Sequence, residues 1–259
     1  MIRVAAVGDI HLGPGSAGFL RPAFDTLGEC ADLLLLAGDL TRHGTREEAR
    51  VVAGEVAGLA VPVVAVLGNH DYQSDQEEAV AEELRAVGVH VLEGTGVVLD
   101  LDGTRVGVAG TKGFGGGFAG RSGSDFGEPE MKAFIHYTRT CAGGLEKALR
   151  GLQDAGSDLR IALTHYAPVP DTLAGEPLEI YPFLGSYLLA EAMDGAGADL
   201  AVHGHAHSGT EHGMTAGGVR VRNVAMPVID RAFAVYHLSS HAPPPTGSPT
   251  PPPPDGAES

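Results

Sequence analysis

The sequence predicts an α/β protein organised around a largely parallel sheet. Two observations carry that prediction. Over the first ninety residues a short apolar run, a polar loop and a helix-like segment recur in that order, and strands alternating with helices imply parallel pairing through right-handed crossovers. Each apolar run also stops, at strand length, against a polar cluster containing Asp, Asn or His, where a helical segment would continue with a different period.

The elements follow in order. Residues 2–7, 32–37 and 61–67 are the apolar runs of the first three strands. Between them, Thr45-Arg46-Glu47-Glu48 and Ser74-Asp75-Gln76-Glu77 each place a hydroxyl three residues before a glutamate, the signature of a capping box that starts a helix. Residues 96–101 and 105–109 flank Asp102-Gly103, a hairpin signal that adds antiparallel strands. Residues 113–127 hold seven glycines, too many for a regular element, and predict a mobile loop. A helix is expected from there to about Gly151, then a strand at 159–163 and a Pro-rich loop at 167–182. A helix through Glu191 and strands at 199–202, 219–224 and 231–238 complete the order. The last 21 residues carry eight of the seventeen prolines and almost nothing apolar, so they cannot bury a core. One domain over 1–238 and a Pro-rich disordered tail over 239–259 are therefore expected.

Of 259 residues, 43% are hydrophobic and 19% charged, a balance that excludes a wholly disordered chain and a membrane bundle. Seventeen basic residues against 33 acidic ones give a net charge of −16. That field repels nucleic acid and anionic lipid, so neither is an expected partner, and any phosphate-bearing partner needs a local source of positive charge. Cys30 and Cys141 lie far apart and outside any C-x-x-C pattern, which argues against a disulfide framework or a thiolate zinc site. No apolar stretch approaches the ~20 residues of a membrane span, and the first residues lack the pattern of a signal peptide; a cytoplasmic location is expected.

Five polar clusters sit just past the expected strand ends: Asp9-Ile10-His11, Gly38-Asp39, Gly68-Asn69-His70-Asp71, Thr164-His165 and Gly204-His205-Ala206-His207. In an open α/β sheet the carboxyl ends of the strands line the ligand crevice, so the clusters should converge. Alone, each has an ordinary structural reading as a turn or a satisfied loop histidine; together, in one order, they do not. They bring together carboxylates, an amide and imidazoles with no thiolate, serine or cysteine nucleophile, a donor set suited to divalent Mn, Fe or Zn. Seven or eight donors exceed the needs of one ion. Two ions about 3.5–4 Å apart around a shared carboxylate would accommodate them, and they would supply the positive charge that the chain as a whole lacks.

The series D-I-H, G-D-L, G-N-H-D, T-H and G-H-A-H resembles the calcineurin-like metallophosphoesterase family over residues 9–207. The resemblance implies a four-layer αββα sandwich with mixed sheets and a dinuclear centre between them. It implies that Asp9, His11 and His207 bind one ion, that Asn69, His165 and His205 bind the other, and that Asp39 bridges both together with a water or hydroxide. It also implies that His70 is a general acid facing the leaving-group oxygen and that Asp71 orients its ring. A hydroxide held by the ions then serves as nucleophile, since bound water reaches a pKa near 7.

Gly38-Asp39-Leu40-Thr41-Arg42-His43-Gly44 departs from the G-D-x-V-D-R-G pattern of the protein phosphatases and looks more like the phosphodiesterase-type members. The expected activity is hydrolysis of a phosphodiester in a small phosphorylated molecule such as a cyclic nucleotide. A phosphomonoesterase or pyrophosphatase is the alternative within enzymes, and a non-catalytic scaffold the alternative outside them. Arg42 and His43 are the expected substrate-phosphate contacts. Lys112, Phe114, Phe118, Arg121 and Phe126 within the glycine-rich segment read either as a lid with an aromatic face and a cation or as a solvated loop packed on the body. His203, beside the last cluster, is expected to support the ligands; His90, His136, His212, His237 and His241 are expected to be ordinary.

Overall fold

The computed structural model describes residues 1–239. The expected Pro-rich tail, and His241 with it, lies outside the described residues apart from Ser239. The first half of the chain runs β1 (Ile2–Val7), α1 (Arg21–Phe24), α2 (Leu27–Cys30), β2 (Leu33–Ala37), α3 (Arg46–Val56), β3 (Val63–Val66), α4 (Glu77–Arg85), β4 (His90–Val91), β5 (Thr95–Leu101) and β6 (Thr104–Thr111). The second half runs β7 (Gly117–Phe118), β8 (Arg121–Ser122), α5 (Pro129–Asp154), β9 (Leu159–Thr164), α6 (Tyr181–Leu184), α7 (Tyr187–Ala196), β10 (Leu200–His203), β11 (His212–Met214), β12 (Arg220–Asn223), α8 (Met226–Ile229) and β13 (Ala234–Leu238).

Two large mixed sheets result. One has the order β13-β1-β2-β3-β4 and the other β11-β12-β10-β9-β6-β5. The central pairs β1–β2, β2–β3, β6–β9, β9–β10 and β10–β12 are parallel, while β13, β11 and β5 are antiparallel edges. Side chains of a strand alternate between faces, and here both faces are covered. Val4, Leu33, Leu35 and Val64 of one sheet meet Val108, Ile161, Leu163 and Val202 of the other in an inter-sheet core. Their neighbours Ala5, Leu34, Leu36 and Val63 face α1–α4, whereas Ala109, Ala162 and Ala201 face α5 and α7. The four layers are therefore helix, sheet, sheet, helix. The continuous apolar runs read in the sequence are what strands buried on both faces require.

Where the sheets approach closely, side-chain size is limiting. A Cβ on Gly110 would lie 2.7 Å from Val66 Cγ1 and 2.8 Å from Leu92 Cβ. The chain uses glycine in mid-strand at this point because any larger residue would push the sheets apart.

One capping expectation holds and two local expectations need correction. Thr45 caps α3 as a full capping box, its side chain accepting from the Glu48 N–H while Glu48 reaches back to the Thr45 N–H. Ser74 does not cap α4: that helix starts at Glu77 behind Gln76, Asp75 takes a φ of +53°, and the Ser74 hydroxyl donates to the His43 carbonyl instead. The hydroxyl-to-glutamate spacing matched, but tertiary contact with the loop after β2 took the hydroxyl first. The glycine-rich segment, expected to be a loop, contains the short hairpin β7–β8. Phe118 packs there against Leu173, Leu184 and Ala206, Phe114 packs against Phe134, Tyr137 and Tyr166, and Phe126 stays exposed. Strands β4 and β11, of two and three residues, are too short to show a period.

The capping contrast predicts that Thr45→Ala destabilises the protein by about 1 kcal/mol, while Ser74→Ala costs less than half as much, as measured by urea denaturation. Equal losses would mean that the hydroxyl at 74 caps α4 after all.

Candidate metal centre

All five polar clusters lie at carboxyl ends of central strands: Asp9 and His11 after β1, Asp39 after β2, Asn69 to Asp71 after β3, His165 after β9, and His205 and His207 after β10. The loops are laced together by backbone. The Asp9 N–H donates to Gly38 O (2.9 Å), His11 N–H to Asp39 O (3.0 Å) and Leu12 N–H to Leu40 O (2.9 Å). Parallel pairing of β1 and β2 thus carries on past the strands and holds the Asp9 and Asp39 loops in register.

The backbone is strained where the donors stand. Asp9 (φ +55°), His11 (+43°), Asp39 (+50°) and His205 (+71°) are all left-handed, a region that non-glycine residues enter rarely and Asp and His more readily than most. Such outliers cluster where function over-determines the backbone. Adjacent glycines create the space. A Cβ on Gly68 would fall 2.1 Å from Asp39 Oδ1, one on Gly204 2.3 Å from Asp9 Oδ2, and one on Gly38 2.6 Å from His165 Nδ1. Each motif glycine is thus required by the carboxylate or imidazole beside it.

Three overlapping groups of donors have their ligand atoms within 4.8 Å of one another: Asp9, His11 and His207; His11, Asp39 and His70; and Asp39, His165 and His205. His207 Nε2 lies 2.8 Å from Asp9 Oδ1, and His165 Nε2 lies 2.9 Å from Asn69 Oδ1 and 3.4 Å from Asp39 Oδ1. His11 and His70 bring their Nε2 atoms within 3.9 Å of Asp39 Oδ2. The second nitrogens are oriented from behind. His165 Nδ1 faces the Ala37 carbonyl at 2.9 Å, and His205 Nε2 faces the Phe183 carbonyl at 3.3 Å; each contact fixes which nitrogen points into the centre. Oxygen and imidazole donors, converging without thiolate, fit borderline divalent cations.

The electrostatics match a site that holds cations. Burial acts to raise the Asp39 carboxyl, but His165 and the His70 N–H, which donates to Oδ1 at 2.8 Å, hold it well below the usual carboxylate range. Burial would lower His165, yet Asp39 pushes it up to about 9. Burial, with the charge of His165 beside it, brings His205 down to about 3. The hydrogen bond to Asp9 raises His207, while burial lowers His11.

Asp71 stands elsewhere than the resemblance implies. Its buried carboxylate accepts from the Gly68 N–H (2.8 Å), Leu40 N–H (3.2 Å), Thr41 N–H (2.8 Å) and Thr41 hydroxyl (2.6 Å). The His70 ring is oriented instead by the Arg42 carbonyl, 2.8 Å from Nδ1, which leaves Nε2 facing the centre. Asp71 therefore fastens the Asp39 loop to the Asn69 loop. The sequence did not mark Thr41 or Phe183 for these contacts, because a lone hydroxyl and a backbone carbonyl carry no motif. His43 is bound to Glu48, with Nδ1 3.0 Å from Oε1, inside the α3 capping network. Arg42 is exposed and, with His11 and Gly15–Phe19, lines an open cavity of about 410 Å³. His203 is fully buried between the Thr172 hydroxyl and the Gly204 carbonyl, and burial brings it down to about 4.

A family model described as calcineurin-like phosphoesterase matches residues 2–209. The chain belongs to this family. Membership indicates metal-dependent phosphoester hydrolysis, and the clustered Asp and His side chains are consistent with the divalent metals that the family uses. No curated protein sequence matches the chain. Among solved structures, phosphopantetheinyl hydrolase from Mycobacterium tuberculosis is similar over 93% of this chain and 98% of that one, with a TM-score of 0.61 and 14% identity. The protein TT1561 of Thermus thermophilus is similar over 86% and 89%, with a TM-score of 0.54 and 18% identity. A 5′-nucleotidase structure from Staphylococcus aureus is similar over 86% of this chain and 48% of that one, with a TM-score of 0.55 and 17% identity. At these identities the likeness is one of fold. No helix among the described residues is long and apolar enough to cross a membrane.

The His165–Asp39 pair makes a pH prediction for metal-free protein. A proton bound more tightly folded than unfolded stabilises fully below the reference value of 6.5, and its contribution is lost as pH rises through about 9. The Tm of metal-free protein should therefore fall across that window, and saturating Mn²⁺ should flatten the fall, because a bound cation displaces the proton. Calorimetry checks both; equal slopes with and without metal would contradict the coupling.

Proposed function

We propose that the protein hydrolyses a phosphodiester bond in a small phosphorylated molecule, using two divalent ions, with Mn, Fe or Zn as the metals that suit the donors. Asp9, His11 and His207 would hold one ion, Asn69, His165 and His205 would hold the other, and Asp39 would be shared by both. The observation that carries this reading is the set of overlapping donor groups sharing Asp39 and His11, built on left-handed backbone. When bound, two dications supply the positive charge that draws a phosphoester to an anionic protein, and they make water available as a nucleophile near neutral pH.

The remaining steps belong to the chain. His70 is the proton donor to the leaving oxygen. Its Nδ1–H is committed to the Arg42 carbonyl, so Nε2 is the nitrogen free to exchange a proton, 3.9 Å from Asp39 Oδ2. Asp71 does not touch this ring; it supports catalysis by holding the loops that carry Asp39 and Asn69. Arg42, on the cavity beside His11, binds a non-bridging oxygen or a neighbouring anionic group of the substrate. His43 is held by Glu48 at 3.0 Å and contributes through that loop. The departure from the protein-phosphatase pattern after Asp39 supports a small-molecule diester.

Chelator-stripped protein should turn over bis(p-nitrophenyl) phosphate only when Mn²⁺ is returned, and faster than it turns over p-nitrophenyl phosphate. His70→Ala should keep its metal by elemental analysis and lose about 10²–10⁴-fold in kcat. A His70→Ala protein depleted of metal would make His70 a ligand, and preference for the monoester would replace the diesterase reading with a monoesterase one.

A further inference from the structure

Lys112 directly follows β6, and its side chain is almost completely buried, with 5% of the residue exposed. Its backbone carbonyl accepts the N–H groups of both His165 and Tyr166 (3.0 and 3.1 Å), so the residue is part of the turn that carries a metal-site histidine. The ammonium stands inside a box of four rings: Tyr72, Phe114, Tyr137 and Tyr166, with centroids 4.9, 5.0, 5.2 and 5.3 Å away. Two of these rings directly follow site residues, Tyr72 after Asp71 and Tyr166 after His165. Tyr166 links the box to the centre, its ring centroid lying 4.3 Å from that of His205.

Ring faces attract a cation at such distances, but they do not satisfy its donors. An ammonium has three N–H groups, and among the described residues the acceptor in reach is the Gly113 carbonyl at 3.5 Å, the outer limit of a hydrogen bond. The neighbouring acid, Glu93, is committed to the Lys112 backbone N–H (2.9 Å) and the Thr111 hydroxyl (2.6 Å). A buried cation that makes no direct ion pair among the described residues is expensive to keep, and an apolar side chain in this box would be easier to fold. The wall also leads outward: Phe114 packs on Phe134, which meets the exposed Phe183, and Tyr137 is partly exposed at its rim.

We propose that Lys112 and its ring box form a subsite for a second anionic group of the substrate, a phosphate or carboxylate set one ring's width from the scissile phosphoester. This rests on the phosphoesterase reading above and narrows the substrate to molecules with two separated negative groups joined by an apolar or aromatic spacer. The rings of Tyr166 and Phe114 take the spacer, and the ammonium takes the distal anion.

Calorimetric binding to the Mn²⁺-loaded protein tests it with phenylphosphonate and 4-carboxyphenylphosphonate, which share one anion and differ in the second. The wild-type protein should bind the carboxylated ligand at least about fivefold more tightly, and Lys112→Met should bring the ratio close to one. The Tm of Lys112→Met should stay at or above that of the wild type, since Met replaces a buried charge within an aromatic box. Equal binding of the two ligands by the wild type, or a preference that survives Lys112→Met, overturns the assignment while leaving the phosphoesterase reading intact. If neither ligand binds, the metal-centre reading falls and this one with it. A lowered Tm with an unchanged preference makes Lys112 a structural cation.

Discussion

One buried carboxylate, that of Asp39, organises the molecule's functional end. It stands on a left-handed backbone at the end of β2, almost fully out of solvent, where an unpaired negative charge is intolerable. His165 from the opposite sheet and the His70 N–H from the next loop satisfy it in the absence of metal. Three loops and both sheets are thereby drawn to one point, and the same carboxylate is available to cations when they bind.

The rest of the fold can be read as what this point demands. Parallel strands deliver their carboxyl ends to one edge, and a thin inter-sheet core of Val, Leu and Ile brings β1–β3 within reach of β9 and β10. Gly38, Gly68 and Gly204 yield the volume that the carboxylates and His165 occupy. Asp71, buried and raised above its ordinary value by burial and by Asp39, is retained because four donors from two loops converge on it. Strain and buried charge are thus concentrated at one edge, and the apolar layers behind it supply the stability that tolerates them.

Much of this was legible in the sequence because it is written locally. Strands buried on both faces appear as unbroken apolar runs, the Asp102-Gly103 turn names its hairpin, and the five polar clusters announce themselves at strand ends. What was not legible depends on contacts between distant segments. The Ser74 hydroxyl was claimed by the His43 carbonyl rather than by a helix. The ring of His70 was oriented by a carbonyl, which has no residue identity, rather than by the adjacent aspartate. Lys112 reads as a loop cation until the fold shows four rings around it, contributed by segments at residues 72, 114, 137 and 166.

On the proposed reading, Asp39 is shared between two cations. The most direct measurement is metal content per chain by elemental analysis, after reconstitution with excess Mn²⁺ and removal of the free ion, for the wild type and for Asp39→Asn. Two ions per chain in the wild type and fewer than one in the variant are predicted. A single ion in the wild type, or two ions retained by Asp39→Asn, would contradict a shared carboxylate.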